Sequence, residues 1–274
     1  MKKIAIQGIQ GSNHHIVANN YYGENIDLNE CLSFDVLVDS LINSRSEQAI
    51  MALENTIAGS IIPNYALIDK YNLHISGEYY LPIHHHLMAL PNQQIEDITE
   101  VCSHPMALLQ CKEFFKQHKH IKLVEDVDTS AVAKRIADQQ LKGVAAIAPK
   151  MAADIFGLSI IEDEIQTIKN NATRFVILQT SHPENGKNEI NKASLRFELD
   201  HKRGSLAAVL NVMSDCKLNL TKIQSLPKIE TPWKYAFFVD VTFEAYEDYE
   251  KAKAIIQIMA EEFKILGEYK NGRL

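Results

Sequence analysis

The sequence lacks the features that mark several protein classes. Its four cysteines, at positions 31, 102, 111 and 216 of 274 residues, form no C-x-x-C pair and read as reduced thiols. Positive charge is not in excess: 28 Lys and Arg stand against 35 Asp and Glu, a formal charge of -7. Binding to phosphate backbones needs a basic surface, so no nucleic-acid partner is expected. Long hydrophobic runs are missing. The most apolar stretch, 144–161, carries Lys150 and Asp154 and is too short and too charged to span a bilayer. Met1-Lys2-Lys3-Ile4-Ala5-Ile6 opens like a secretory leader, but Gln7, Gly8, Gln10 and Gly11 interrupt it before an apolar core forms. The expectation is a cytoplasmic chain with no signal peptide and no membrane partner. Neither H-E-x-x-H nor a Cys/His ligand spacing occurs. His84-His85-His86 adjoins a strand, where successive side chains face opposite sides, so three neighbours cannot grip one ion and no metal is expected. There is no internal repeat and no low-complexity segment.

What is present is ordinary for a globular protein, with 46% hydrophobic and 23% charged residues. At about 150 residues per domain the length suggests two. Residues 180–192, TSHPENGKNEINK, are polar apart from one Ile and one Pro, and predict a linker over 181–192 between domains at 1–180 and 193–274. In the second domain 193–199 alternates like a strand, and Leu206, Val209, Leu210 and Met213 share one helix face. Two strands, 218–226 and 234–243, flank a turn with Pro227, Glu230 and Pro232. A helix with Ala252, Ile255, Ile256, Met259 and Phe263 on one stripe follows, and then a strand over 265–269. This β-α-β-β-α-β order is a ferredoxin-like α+β pattern, a small sheet with helices on one face. The first domain alternates strands (4–6, 49–53, 87–90, 98–102, 144–148, 175–178) with helices (106–117, 130–140), which predicts α/β with a mostly parallel sheet.

Four constellations could carry chemistry. Gly8-Ile9-Gln10-Gly11-Ser12 follows a strand and opens a helix, an arrangement that turns N–H groups toward an anion and equally serves a tight turn. Glu54-Asn55-Thr56 with Gly59 lies beyond the carboxyl end of a buried strand, where open α/β sheets bind ligands; Asn55 or Thr56 would alternatively cap the next helix. In Ser103-His104-Pro105 with Gln110-Cys111, Ser103 suits an N-cap, and Ser103 and Gln110 share a helix face about 10 Å apart, too far for one small substrate to touch both. Cys111 has no activating neighbour and reads as a buried structural thiol. Finally, Asn170-Asn171-Ala172-Thr173-Arg174-Phe175 presents a hydroxyl, a guanidinium suited to a carboxylate, and an aromatic ring.

Taken in this order, and followed by the βαββαβ tail, these motifs resemble the prephenate dehydratase family with a C-terminal ACT regulatory domain. Gly204-Ser205-Leu206-Ala207 is similar to the family's Gly-Ala-Leu effector motif. Residues 223–227, with Trp233-Lys234-Tyr235 and Phe237-Phe238-Val239-Asp240 after them, resemble its Glu-Ser-Arg-Pro segment. The resemblance implies a bilobed, periplasmic-binding-protein-like catalytic domain with the active site in the cleft between its lobes. It also implies conversion of prephenate to phenylpyruvate, CO2 and water in phenylalanine biosynthesis. No cofactor is implied, because aromatisation drives the reaction and the protein positions and polarises.

On this reading Thr173 donates a hydrogen bond to the departing hydroxyl and Arg174 holds a carboxylate, with the amides of Gly11 and Ser12 as candidates for the other. Asn55, Thr56, Ser103 and Gln110 line the site. Glu54 is either the proton source, if burial raises its pKa, or an orienting group for Asn55 and Thr173. Phe175 either packs against the substrate ring or is an ordinary core residue. Gly204, Ser205, Leu206, Ser225, Leu226 and Pro227 would bind an effector, phenylalanine as inhibitor, with ACT domains pairing chains into a homodimer or a dimer of dimers. The charge of -7 matters little to a dianionic substrate, since distant carboxylates are screened within about 8 Å. Asn13-His14 replaces the family's aromatic and hydroxyl pair, and Met106 a common Gln. Gln224-Ser225-Leu226-Pro227 lacks the usual Glu and Arg, which leaves effector identity open. The rival readings are an arogenate dehydratase with the same chemistry and a non-enzymatic amino-acid sensor.

Overall fold

The structure, a computed structural model, describes residues 1–182, 186, 189–228, 231 and 234–273. Part of the expected linker (Pro183, Glu184, Asn185, Lys187, Asn188), together with Glu230, Pro232 and Trp233, lies outside the described residues. The chain runs β1 (Lys3–Gln7), α1 (Asn13–Tyr22), β2 (Asp27–Cys31), α2 (Phe34–Ile42), β3 (Gln48–Asn55), β4 (Gly59–Ser60), α3 (Ile62–Lys70), β5 (His74–Pro82), β6 (His86–Ala89) and β7 (Glu100–Ser103). It continues with α4 (Pro105–Gln110), α5 (Lys112–Phe115), β8 (Lys122–Glu125), α6 (Thr129–Gln139), β9 (Val144–Ala148), α7 (Lys150–Phe156), β10 (Ser159–Glu162) and β11 (Ala172–Gln179). The last part is β12 (Lys192–Glu198), α8 (Ser205–Asp215), β13 (Asn219–Pro227), β14 (Tyr235–Thr242), α9 (Tyr246–Met259) and β15 (Glu262–Tyr269).

Two compact units result, one of Met1–Gly59 with Tyr80–Phe175, the other of Ser60–Tyr79 with Val176–Leu274. The first unit holds strands in the order β2-β1-β3-β11, with β1 parallel to β2 and β3. A separate sheet in the same unit has the order β10-β6-β9-β7-β8. There β7 is parallel to β8 and β9, whereas β6 is antiparallel to β9 and β10. This sheet is therefore mixed and not mostly parallel, because β6, the strand by which the chain enters it, runs against both of its neighbours, β9 and β10. Both of its faces are covered. Leu87, Ala89, Ala145 and Ile147 pack with Leu108, Cys111 and Phe115 on one side. Met88, Leu90, Ala146 and Ala148 pack with Val132, Ile136 and Ala152 on the other. Continuous apolar runs such as Val144–Ala148 are what a strand buried on two faces requires. The helix expected over 106–117 breaks at Cys111 into α4 and α5.

In the second unit the C-terminal sheet has the order β13-β14-β12-β15 with all neighbours antiparallel, the βαββαβ arrangement expected. Ala193, Leu195 and Phe197 pack with Val209, Met213, Tyr249, Ala252 and Ile256 of α8 and α9. Phe263, expected on the last helix stripe, lies in β15: Ala260 is already extended and ends α9. β12 begins at Lys192, a residue assigned from sequence to the linker, and all seven of its residues are buried. Its polar alternate face is covered as well. Lys192 Nζ meets both carboxylate oxygens of Glu78 on β5 at 2.9 and 2.8 Å, and Arg196 pairs with Asp69 of α3 at 3.3 Å. The close seating of β15 on β5 requires glycine at 267, where a Cβ would overlap the Ile75 carbonyl oxygen.

Candidate active site

The site is built from the ends of β3, β11 and α4 and from the two segments, 83–85 and 163–171, that join the sheets of the first unit. Its starting point is Asn55. Its Oδ1 accepts the backbone N–H groups of Ile57 and Ala58, each at 2.9 Å, which turns the chain sharply after β3. That loop makes no cap for α3, whose N-cap is Ile61 with no side-chain bond, so capping does not account for Asn55 or Thr56. Because backbone amides only donate, the Asn55 oxygen is fixed, and its Nδ2 must donate to what it faces. It faces Asn171 Oδ1 at 2.7 Å and Thr173 Oγ1 at 2.9 Å.

The same reasoning carries the polarity onward. With Asn171 Oδ1 accepting, its Nδ2 donates to Gln110 Oε1 at 2.9 Å. That same oxygen lies 2.8 Å from His85 Nε2, which must then carry the proton. Thr56 closes the cluster from the side. Its N–H donates to the Ala172 carbonyl at 2.9 Å, and its Oγ1 accepts the Ala172 N–H at 3.0 Å. The outcome for Thr173 is definite. Its oxygen is engaged as acceptor by Asn55, which leaves the O–H proton to be donated elsewhere. Thr173 and Asn171 are 8% and 2% exposed, so the donor is held in a largely dry setting.

Other expected residues stand apart from this cluster. Ser103 is fully buried and donates to the Ile147 carbonyl at 2.7 Å; the cap of α4 is His104, whose Nδ1 accepts from Met106 N–H at 3.2 Å, and not Ser103. Gly11 N–H donates to His15 Nδ1 at 3.0 Å and Ser12 N–H to the Ile9 carbonyl at 3.1 Å. Ser12 caps α1 through its hydroxyl. Gly11 has φ +85°, and a Cβ there would sit 2.9 Å from Ala152 Cα, so the turn needs glycine twice over. Arg174 is buried, and strand alternation puts it on the opposite face of β11 from Thr173 and Phe175. Phe175 is 1% exposed and meets the His14 ring edge-on at 4.9 Å. Burial without a charge partner brings the His14 imidazole down to about 3. Glu54 is half-buried beside Asn55. Cys111 is buried among apolar side chains, which pushes its thiol up to about 12. Asn171 and His85 were missed from sequence as members of the cluster. Asn171 lies two residues before Thr173, the same-face spacing of a strand; His85 carried no comparable signal.

In the second unit, Gly204 (φ +86°) precedes α8, Ser205 and Leu206 form its first turn, and Ser225, Leu226 and Pro227 end β13. The ends of β12 and β13 lie together, with Lys228 Nζ 2.8 Å from Glu198 Oε1.

An α/β enzyme core with a dry hydroxyl donor, followed by a βαββαβ module, is the class these features define. Residues 4–183 match the sequence family described as prephenate dehydratase. The chain is 35% identical over 280 residues to arogenate dehydratase/prephenate dehydratase 2 of Arabidopsis thaliana, covering 97% of this chain and 72% of that protein. It is 30% identical to a bifunctional chorismate mutase/prephenate dehydratase of Buchnera aphidicola, covering 97% and 70%. Among solved structures, a prephenate dehydratase of Arthrobacter aurescens in complex with L-Phe superimposes with a TM-score of 0.87 at 22% identity, covering 99% of this chain and 90% of that one. The chain belongs to the prephenate dehydratase family, a family of carbon–oxygen lyases.

Proposed function

We propose that this chain is a cytoplasmic enzyme that converts prephenate, with uptake of one proton, to phenylpyruvate, CO2 and water. The observation that carries the reading is the polarity of the Asn55–Thr173 bond, which commits the Thr173 proton to a substrate acceptor. As the ring carboxylate leaves as CO2, its bonding pair moves into the ring and the C–O bond to the ring hydroxyl breaks. Thr173 stabilises the charge growing on that oxygen. A neutral threonine is too weak an acid to transfer its proton fully, but one well-aimed donor is worth roughly 3 kcal/mol, about 100-fold in rate. Asn55 and Thr56 orient Thr173, Gln110 supports them through Asn171, and Glu54 is either the proton source or an orienting group for Asn55 and Thr173. Arg174 is the proposed carboxylate ligand and the Gly11 and Ser12 amides the proposed anion donors, although Arg174 lies on the other face of β11 from Thr173. Ser103, whose hydroxyl is spent on the Ile147 carbonyl, and Phe175, packed on His14, would support the substrate site from behind. In the present arrangement His15 occupies the Gly11 amide, so substrate binding there would displace an imidazole.

Residues 1–180 are proposed as the catalytic domain and 193–274 as an ACT domain that pairs chains into a homodimer or dimer of dimers. Phenylalanine is proposed as inhibitor at Gly204, Ser205, Leu206, Ser225, Leu226 and Pro227. The topology that brings the ends of β12 and β13 together supports this, as does the bound L-Phe of the Arthrobacter protein. The deciding experiment offers prephenate and arogenate separately to the purified chain and measures phenylpyruvate and phenylalanine. Phenylpyruvate from prephenate supports the reading. Turnover of arogenate alone would replace it with arogenate dehydratase, and turnover of neither would favour an amino-acid sensor.

A further inference from the structure

The segments 83–85 and 163–171 are bonded to each other along their length. Ile83 N–H donates to the Asn171 carbonyl at 2.8 Å, Ile165 N–H to the His85 carbonyl at 2.8 Å, and His85 N–H to Gln166 Oε1 at 2.9 Å. His84 and His86 turn to Glu164 and Asp163, at 3.1 and 2.7 Å. Of the three, His85 is the one that reaches the Gln110 amide. It is 5% exposed, its Nε2 lies against Gln110, and its buried Nδ1 has no hydrogen-bond partner among the described residues. A buried imidazole nitrogen left unsatisfied costs free energy, and its retention calls for an explanation that the bond made by the other nitrogen can supply.

Resting on the dehydratase reading above, we propose that His85 is a positioning residue for Thr173. It acts through Gln110, Asn171 and Asn55, and its Nε2–H fixes the far end of a one-way hydrogen-bond chain. Three side-chain amides lie between His85 and the hydroxyl, and each can rotate by half a turn and exchange donor for acceptor. The near end is fixed by the Ile57 and Ala58 amides. The far end needs a group that donates to Gln110 Oε1 and offers it nothing to donate to. Neutral imidazole in the Nε2–H tautomer meets that requirement. The depression of the His85 pKa by burial keeps the ring neutral at physiological pH. The backbone amides set the Asn55 orientation, and the His85 donor holds Gln110 and Asn171 in the matching one, so the Asn55 amide keeps both Asn171 and Thr173 as acceptors. Loss of the His85 donor frees Gln110 and then Asn171 to turn, which takes one acceptor from Asn55 and loosens its hold on the Thr173 hydroxyl.

The test reads the tautomer and the rate separately, on the full chain. In 15N spectra of histidine-labelled protein at pH 7, His85 should show a protonated Nε2 and a bare Nδ1. Asn171→Asp can only accept from Gln110, so it should turn that amide round and exchange the two signals. An Nδ1–H tautomer in the unaltered chain would overturn the inference whether or not any variant folds. In kinetics, His85→Leu should lower kcat about tenfold, the worth of one buried hydrogen bond, with KM changed by less than about twofold. His85→Gln, whose amide can donate to Gln110 but can also turn and accept from it, should recover only part of that loss. A folded His85→Leu protein with unchanged kcat would also overturn it. Absence of turnover by the unaltered chain on both substrates is a different failure: it removes the dehydratase reading itself.

Discussion

Thr173 is the residue on which the chemistry turns, and its role follows from the direction of one bond. Since Asn55 donates to it, Thr173→Ala should remove the donor without disturbing the amide chain behind. We expect kcat to fall roughly 100-fold while the prephenate KM shifts by no more than about threefold, measured by phenylpyruvate formation; Thr173→Ser should retain most of the rate. His14 makes a different prediction. Its folded pKa of about 3 lies below the ordinary 6.5, so the unfolded chain binds a proton that the folded chain excludes. That contribution is whole above pH 6.5 and is lost as pH falls toward 3, with a slope of at most about 1.4 kcal/mol per unit. Urea titrations at pH 7 and 5 should show a smaller loss of stability for His14→Leu than for the unaltered chain. Both residues stand in motifs visible in sequence, and neither environment is. A tripeptide names the hydroxyl but not the amide that points its proton.

β12 shows how an element can be legible and still misjudged. Its alternation of Ala193, Leu195 and Phe197 with Lys192, Ser194, Arg196 and Glu198 reads as a strand with one wet face. The polar face is in fact buried against α3 and β5, more than a hundred residues earlier in the chain, and its charges are met by Glu78 and Asp69. Ion pairing at such separation leaves no periodic signal. The Lys192–Glu78 pair is almost wholly dry, at 3% and 0% side-chain exposure. Lys192→Met strands a buried carboxylate and should cost about 3–5 kcal/mol in urea unfolding, whereas adding Glu78→Leu should recover most of it. The break of the expected 106–117 helix at Cys111 is a finding at the same scale. The break leaves Gln110 at the end of α4, where its side chain reaches Asn171.

At the scale of the whole molecule, regulation is the property to test. A ligand that binds only folded protein stabilises it by about 2.7 kcal/mol at a hundred times its Kd. L-Phenylalanine should therefore raise the thermal midpoint of the full chain and lower its turnover. Gly204→Val, at a position with φ +86°, should abolish both responses. Much of the architecture was readable beforehand, because strands and helices that bury one stripe or two faces must space their apolar residues accordingly. The sequence alone determined the α/β core, the βαββαβ tail and the motif-bearing segments around Asn55, Gln110 and Thr173, since local periodicity and turn chemistry act over a few residues. Only the tertiary structure decided that Asn171 and His85 join those segments, that β6 runs against its neighbours, and that the polar face of β12 is dry. Each of these depends on groups brought together from distant parts of the chain, where the free energy lies in the pairing and no single segment carries its mark.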